Sequence, residues 1–112
     1  MATNNPAEFQ RMLGFYTQVE QASREMLVAA RLADWDQVAE IVARCAAPIR
    51  ELRRLNLTLA LNRDERKTKL RVMRQIIRNE AQVRRLASPW NDRYERLLLG
   101  HAAAITPTGL VV

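Results

Sequence analysis

Residues 62–87 read NRDERKTKLRVMRQIIRNEAQVRRLA, and this stretch decides the fold class. Its apolar residues recur at steps of three and four, which is the spacing of one face of an α-helix. They are Leu70, Met73, Ile76, Ile77, Val83 and Leu86. Asn62 precedes Glu65 by three residues, which is the pattern of a capping box at a helix start. The stretch therefore predicts a long amphipathic helix.

The opposite face of this predicted helix is strongly basic. At about 100° per residue, five basic side chains fall within one narrow sector. They are Lys67, Arg71, Arg74, Arg78 and Arg85. The apolar sector covers nearly half of the circumference, which is more than one neighbouring helix can bury. We expect the surplus to be covered by another helix, a second copy of the chain or a partner.

Two further helices are predicted before this one. Asn5 and Pro6 form a cap-then-proline start, and apolar residues recur at helical spacing from Phe9 to Ala30. A second helix begins at Asp34, and its apolar stripe continues past Pro48. We therefore expect a bend near residues 44–48 rather than a stop.

The segments around these helices are shorter. Residues 55–61 alternate with period two but have no partner strand, so they are interpreted as a helix end or connector. Ser88-Pro89 begins a short fourth helix, and residues 101–112 form a tail. The predicted fold is all-α: an elongated antiparallel three-helix bundle with a short fourth C-terminal helix. It is one domain over residues 1–112, with a core at 6–87 and a regulatory helix and tail at 88–112.

Composition limits the class of protein. The 112 residues contain only three glycines and four prolines, too few turn residues for an all-β domain. No apolar run reaches the length of a membrane span, and the N-terminus does not resemble a secretory signal. The single cysteine cannot form an internal disulfide, which agrees with a cytoplasmic location.

The sequence offers no catalytic constellation. Its one histidine, His101, and one cysteine, Cys45, do not suffice for a nucleophile–base pair or a metal site. We therefore expect neither an enzyme nor a cofactor or metal. Cys45 is most simply a buried apolar residue.

The charge leaves two alternatives open. Residues 1–62 have no net charge, and the formal excess of +6 arises within residues 63–87. Such a basic face is typical of a solvated helix, but it also favours a nucleic-acid-binding or transcription-regulatory domain. A third hypothesis is structural, because the surplus apolar arc could pair with its own copy as a homodimer.

Two separated blocks of residues resemble FliT-type flagellar export chaperones. The first block comprises Leu13, Tyr16, Ser23, Met26, Leu27, Ala29, Ala30, Asp34, Trp35, Asp36 and Leu52. The second comprises Leu70, Ile76, Ile77, Asn79, Glu80, Val83, Leu86, Pro89 and Trp90. Together they cover about residues 13–98, whereas Pro48 departs from the family pattern.

The resemblance implies a cytoplasmic helical protein that binds the C-terminal segment of the filament-cap protein FliD. Such a chaperone prevents premature assembly of the cap protein and delivers it to the flagellar type III export apparatus. Some members also bind the flagellar master transcription regulator. In the family, the client groove lies mainly along the second and third helices, and the fourth helix can cover it.

Three sets of residues are the candidates for these roles. The client-binding set, in which apolar anchors would supply affinity, is Val38, Ile41, Val42, Cys45, Ile49, Val72, Ile76 and Val83. The set that would steer an acidic client is Arg71, Arg74 and Arg78. The covering face of the fourth helix is Trp90, Tyr94, Leu97 and Leu98. Which apolar residues face the groove and which face the first helix stays open.

Overall fold

The computed structural model describes residues 4–87, and this part of the chain is all-α with four helices. The helices are α1 (Pro6–Arg31), α2 (Trp35–Arg44), α3 (Ala46–Thr58) and α4 (Arg63–Ala87). The principal extents are 44 × 22 × 20 Å, and the longest agrees with the roughly 39 Å expected for 26 helical residues.

The helix starts follow the predicted capping signals. The Asn5 side chain accepts hydrogen bonds from the backbone N–H groups of Ala7 and Glu8, at 3.1 and 3.2 Å. At the start of α4, the Asn62 side chain accepts from the Glu65 N–H at 2.8 Å. The Glu65 carboxylate accepts in return from the Asn62 N–H at 3.0 Å, which completes the capping box. These bonds satisfy donors that lack partners within the helix.

The turn between α1 and α2 is tight. Ala33 has a φ of 56°, a left-handed conformation that is costly for a residue with a Cβ atom. Asp34 follows and caps α2 by accepting from the Gln37 N–H at 3.2 Å. The strained residue and the cap together reverse the chain within three residues.

Pro48 divides the predicted second helix more sharply than the sequence indicated. Proline has no backbone N–H and cannot bond the carbonyl four residues earlier, so the ladder is interrupted at Cys45. The chain becomes helical again at Ala46, where Pro48 occupies the first turn and needs no donor. The expected bend is therefore a break between two helices, α2 and α3.

The core lies along α1, which packs against all three other helices. Its largest fully buried side chains are Tyr16, Met12, Met26, Ile41, Leu52, Leu55, Met73 and Ile76, with Glu80 and Val19. Burying an apolar side chain of this size contributes about 1.5–3 kcal/mol. The interior of the bundle is thus built on one face of α1.

The structure confirms the all-α class. Residues 4–87 form four helices where the sequence predicted three long ones, because the second is divided at Cys45. The alternating segment 55–61 forms the end of α3 and the start of the connector to α4, as interpreted from the sequence. The predicted short helix from Ser88 and the tail lie outside the described residues.

Candidate functional site

We call the seam between the α2–α3 arm and α4 the furrow; buried side chains of both belong to one apolar core. Both pack on α1, but within residues 4–87 no Cα of α2 or α3 lies within 8 Å of a Cα of α4. Packed helices usually have axes 8–10 Å apart, at which distance some Cα atoms approach more closely. The arm and α4 are therefore two walls that share α1 as their floor.

One end of the furrow is closed by a polar network. The Asn56 amide donates to the Tyr16 hydroxyl at 3.0 Å and to the Leu52 carbonyl at 2.9 Å. Its oxygen accepts from Lys69 Nζ at 2.6 Å, which connects α3 to α4. Burial raises the pKa of Tyr16, against the opposing effect of the Asn56 hydrogen bond. Burial lowers the pKa of Lys69. The network therefore holds α1, α3 and α4 together through partly buried polar groups.

A second polar contact fixes α4 on α1. Asn79 Nδ2 donates to Ser23 Oγ at 2.9 Å, and Ser23 Oγ donates to the Glu20 carbonyl at 2.6 Å. Asn79 Oδ1 accepts from the Gln75 amide at 3.2 Å. Ser23 and Asn79 are only 0% and 4% exposed. Because a buried polar group is costly without its partner, this contact favours one alignment of the two helices.

Most of the predicted client-binding residues are in the core. Six of the eight are at most 6% exposed: Val38, Ile41, Cys45, Ile49, Ile76 and Val83. Cys45 is a free thiol, buried as the sequence predicted for a small apolar residue. The remaining two, Val42 and Val72, are half-buried. The eight side chains therefore do not form one open surface.

Val42 and Val72 lie on different sides of the bundle. Val72 lines a groove of about 280 Å³ between α1 and α4, together with Thr17, Glu20 and Arg24 of α1. Val42 lies about 100° around α2 from Ile41. Ile41 lines a notch between α1 and α2. Val42 lies further around α2 on the side away from this notch, which is the furrow side. The geometry thus places Val42 at the furrow and Val72 outside it.

The structure adds apolar residues that the sequence analysis did not select. By the same helical geometry, half-buried Ile77 lies on the furrow side of α4, opposite Val72, and half-buried Leu70 lies at the margin next to the basic residues. At the turn between α1 and α2, Val28 and Leu32 are 56% and 75% exposed and line the notch of about 290 Å³. Leu70 and Ile77 belong to the apolar face that the sequence predicts for this helix. The sequence therefore showed that they are apolar, but not which neighbouring surface they face.

The three steering arginines lie on the outward face of α4. Arg71, Arg74 and Arg78 are exposed, as are Lys67 and Arg85 of the same sector. Within residues 4–87 the ion pairs involve other arginines, namely Arg11, Arg24, Arg44 and Arg54. We call Lys67, Arg71, Arg74 and Arg78 the basic stripe. The predicted covering residues Trp90, Tyr94, Leu97 and Leu98 lie outside the described residues.

Membrane-spanning and metal-binding features are absent from the described residues. No helix among residues 4–87 is long and apolar enough to cross a membrane. The same residues contain no group of three or more histidine, cysteine or acidic side chains that could hold a metal ion. The surfaces that remain as candidates are the furrow, the notch between α1 and α2, the groove between α1 and α4, and the basic stripe.

Comparison with known families decides the class of the protein. The sequence matches the family of the flagellar protein FliT over residues 15–100, more than half of the chain. The chain belongs to the FliT family. No curated protein and no solved structure gives a significant match. The resemblance identified from the two sequence blocks is therefore confirmed at the level of the family.

The FliT-type residues have clear structural roles in this chain. Tyr16 anchors the network at one end of the furrow, and Ser23 and Asn79 form the buried contact between α1 and α4. Asp34 caps α2, and Trp35 packs against the core at its first turn. These residues build the scaffold around the furrow rather than presenting chemistry to a substrate.

Proposed function

We propose that this FliT-family protein is a cytoplasmic flagellar type III export chaperone. Its client is the C-terminal segment of the filament-cap protein FliD, which it keeps from premature assembly and helps deliver to the export apparatus. The observation that carries this proposal is the family match over residues 15–100. The furrow between the α2–α3 arm and α4 supports it, because a client helix could dock there with apolar anchors.

Binding would begin at the half-buried side chains and proceed inward. Val42 on α2 and Ile77 on α4 lie on the furrow side and retain partial exposure. Ile41, Cys45 and Ile76 are buried, so a client reaches them only if the arm moves away from α4. No close backbone packing between the two walls opposes such a movement. The closed end at Asn56 and Lys69 would act as its fixed point.

Residues 88–112 have a gating role in this proposal. Trp90, Tyr94, Leu97 and Leu98 would cover the client-binding residues at rest and be displaced by the client. Arg71, Arg74 and Arg78 would steer an acidic client by long-range attraction, since charged rims change association rates more than affinity. The flagellar master transcription regulator and a second copy of the chain are further partners of the same proposal.

Calorimetry with a peptide of the FliD C-terminal segment tests the binding role. We expect the full-length protein to bind, and Val42→Asp to weaken binding because a carboxylate would enter the furrow wall. Val28→Asp is the matched control, since Val28 is 56% exposed on another side of α1. Val72→Asp reports on the groove between α1 and α4. Absence of binding by the wild-type protein would remove the proposed function.

The gate requires a separate measurement. A full-length variant with alanine at positions 90, 94, 97 and 98 should bind the same peptide more tightly than the wild type, because the covering face no longer competes. Equal affinities of the two proteins would remove the gate while leaving the chaperone role intact.

A further inference from the structure

The basic stripe of α4 differs from the arginines that are paired within their own helices. Arg11, Arg24 and Arg54 each pair with a glutamate three or four residues away on the same helix. The acids of α4 are Asp64 and Glu65 in its first turn and the buried Glu80, so none lies among the stripe residues. Within residues 4–87, Lys67, Arg71, Arg74 and Arg78 form no ion pair.

This arrangement is unfavourable for the isolated helix. Lys67 and Arg71, Arg71 and Arg74, and Arg74 and Arg78 are like charges at spacings of three or four residues, where they repel one another. Alternating charges along an exposed helix face would avoid this repulsion, and the stripe has none. A partner with negative charges at matching spacing would convert the repulsion into attraction.

The stripe also has apolar side chains at its margins. A shallow, open cavity along it is lined by Leu70 and Gln75 as well as by the four basic residues, all of them on α4. The groove of about 280 Å³ beside Val72 shares Arg71 and Gln75 with this cavity. A ligand on the stripe would therefore meet apolar side chains at both margins as well as a row of cations.

We propose that the basic stripe is a second docking surface, which binds an acidic amphipathic helix of another protein. Four cations at i, i+4, i+7 and i+11 span about 16 Å of helix, so the partner needs about three turns with carboxylates at the same spacing. Apolar residues beside those carboxylates contact Leu70 and Val72. Each arginine can hold a carboxylate through two parallel hydrogen bonds.

A peptide fits this surface better than a nucleic acid does. The four aromatic residues between positions 4 and 87 are buried or half-buried, so no exposed ring offers a stacking platform for bases. Apolar margins serve an amphipathic helix but contribute nothing to phosphate contacts.

The stripe is separate from the proposed client furrow. Its residues lie on the side of α4 opposite the buried Met73, Ile76 and Val83. An acidic helix on the stripe and a client in the furrow therefore occupy different faces of α4. The inference does not depend on the proposed function, because it rests on charge and geometry alone.

The test uses the full-length protein and a fluorescein-labelled acidic peptide of about 18 residues, which is about five helical turns and extends by almost one turn beyond each end of the contact. Its glutamates are spaced i, i+4, i+7 and i+11 beside leucines, and a peptide of the same composition in scrambled order is the control. Fluorescence anisotropy at about 50 mM salt keeps screening weak. We expect the patterned peptide to bind at least about tenfold more tightly than the scrambled one.

Two charge-reversal variants isolate the stripe. Arg71→Glu/Arg74→Glu should lose at least about tenfold in affinity. Arg50→Glu/Arg53→Glu makes the same change of net charge at exposed residues of α3 and should retain binding. Circular dichroism checks that both remain folded, and Arg71→Gln/Arg74→Gln replaces the first variant if it unfolds. Equal losses in the two reversals would overturn the proposal, as would no binding of the patterned peptide to the wild type.

Two competition experiments complete the test. A DNA duplex that binds the wild type more tightly than the peptide does would assign the stripe to nucleic acid and overturn the proposal. The FliD C-terminal peptide should not displace the acidic peptide, because the two surfaces are distinct. Displacement would merge the stripe with the client site and refute the second docking surface, whereas failure of the FliD peptide to bind leaves the stripe's result unchanged.

Discussion

Removing the Ser23 hydroxyl should destabilise the protein by leaving a buried donor without an acceptor. Asn79 Nδ2 donates to Ser23 Oγ at 2.9 Å, and both residues are at most 4% exposed. An unsatisfied buried donor costs about 1–3 kcal/mol. Alanine is a better helix former than serine by about 0.5 kcal/mol, which offsets part of the loss. We therefore expect Ser23→Ala to lower the free energy of unfolding by about 0.5–2.5 kcal/mol.

Replacing both partners should recover most of this loss. In Ser23→Ala/Asn79→Leu the buried pair becomes apolar, and no buried donor is left without a partner, since the exposed Gln75 amide can bond water. The two single changes and the double change form a mutant cycle, whose coupling we expect to be about 1 kcal/mol or more. Urea unfolding followed by circular dichroism measures all four proteins.

Thr17→Ala is the control for this cycle. Thr17 is exposed, and its hydroxyl donates to the Leu13 carbonyl at 2.8 Å within α1, so its loss leaves no buried group unsatisfied. Its unfolding free energy should stay within about 0.5 kcal/mol of the wild type. Additive effects of Ser23→Ala and Asn79→Leu, or a Ser23→Ala protein as stable as the wild type, would refute the argument that this bond is a buried constraint.

Three further predictions concern local features. Gly14→Ala should stabilise the protein by about 0.5–1 kcal/mol in urea unfolding, because Gly14 is exposed in α1 and an added Cβ meets no atom within 4 Å. Asn62→Ala should lower the unfolding free energy by about 1 kcal/mol, since the capping bond to Glu65 is lost. Burial raises the pKa of Tyr16, so the contribution of this residue to stability is complete below pH 10 and decreases as the pH rises above that value. Tyr16→Phe should therefore lose less stability at alkaline pH than the wild type, as measured by thermal unfolding at several pH values.

Each of these predictions has an outcome that contradicts it. A destabilised Gly14→Ala protein would show that α1 is more crowded there than the structure describes. Unchanged stability in Asn62→Ala would mean that water replaces the cap at no cost. If the wild type and Tyr16→Phe lose stability equally above pH 10, Tyr16 is not the residue responsible. Lys69 acts in the opposite direction, because its lowered pKa relieves a burial cost as the pH rises toward 10.5.

Local signals in the sequence predicted the helix starts because their partners are close along the chain. Asn5, Asp34 and Asn62 each bond a backbone N–H within three residues, so their roles depend on little else. Pro48 marked the right place for a disruption. The spacing of apolar residues indicates which face of a helix is apolar. It does not show how tightly neighbouring helices hold the segments before and after Pro48 in line, so a bend and a break could not be distinguished.

The tertiary contacts were outside the reach of sequence patterns. Ser23 and Asn79 are 56 residues apart, and Tyr16 and Asn56 are 40 apart, so their pairing depends on the alignment of whole helices. The same limit explains the client-binding set. A helical stripe shows that Ile41 and Ile76 are apolar, but only the positions of the neighbouring helices show that they are buried while Val42 and Val72 are not.

The sharing of α1 by both walls of the furrow has a consequence for how this small protein can change. The backbones of α2 and α3 do not approach that of α4 closely. A substitution on one flank, the α2–α3 arm or α4, therefore affects the other mainly through α1 or the Asn56–Lys69 contact. Evolution can therefore adjust the partner preference of either flank with little penalty to its counterpart. By the same reasoning, a substitution that tilts α1 alters both flanks together, so we expect α1 to tolerate the least sequence variation.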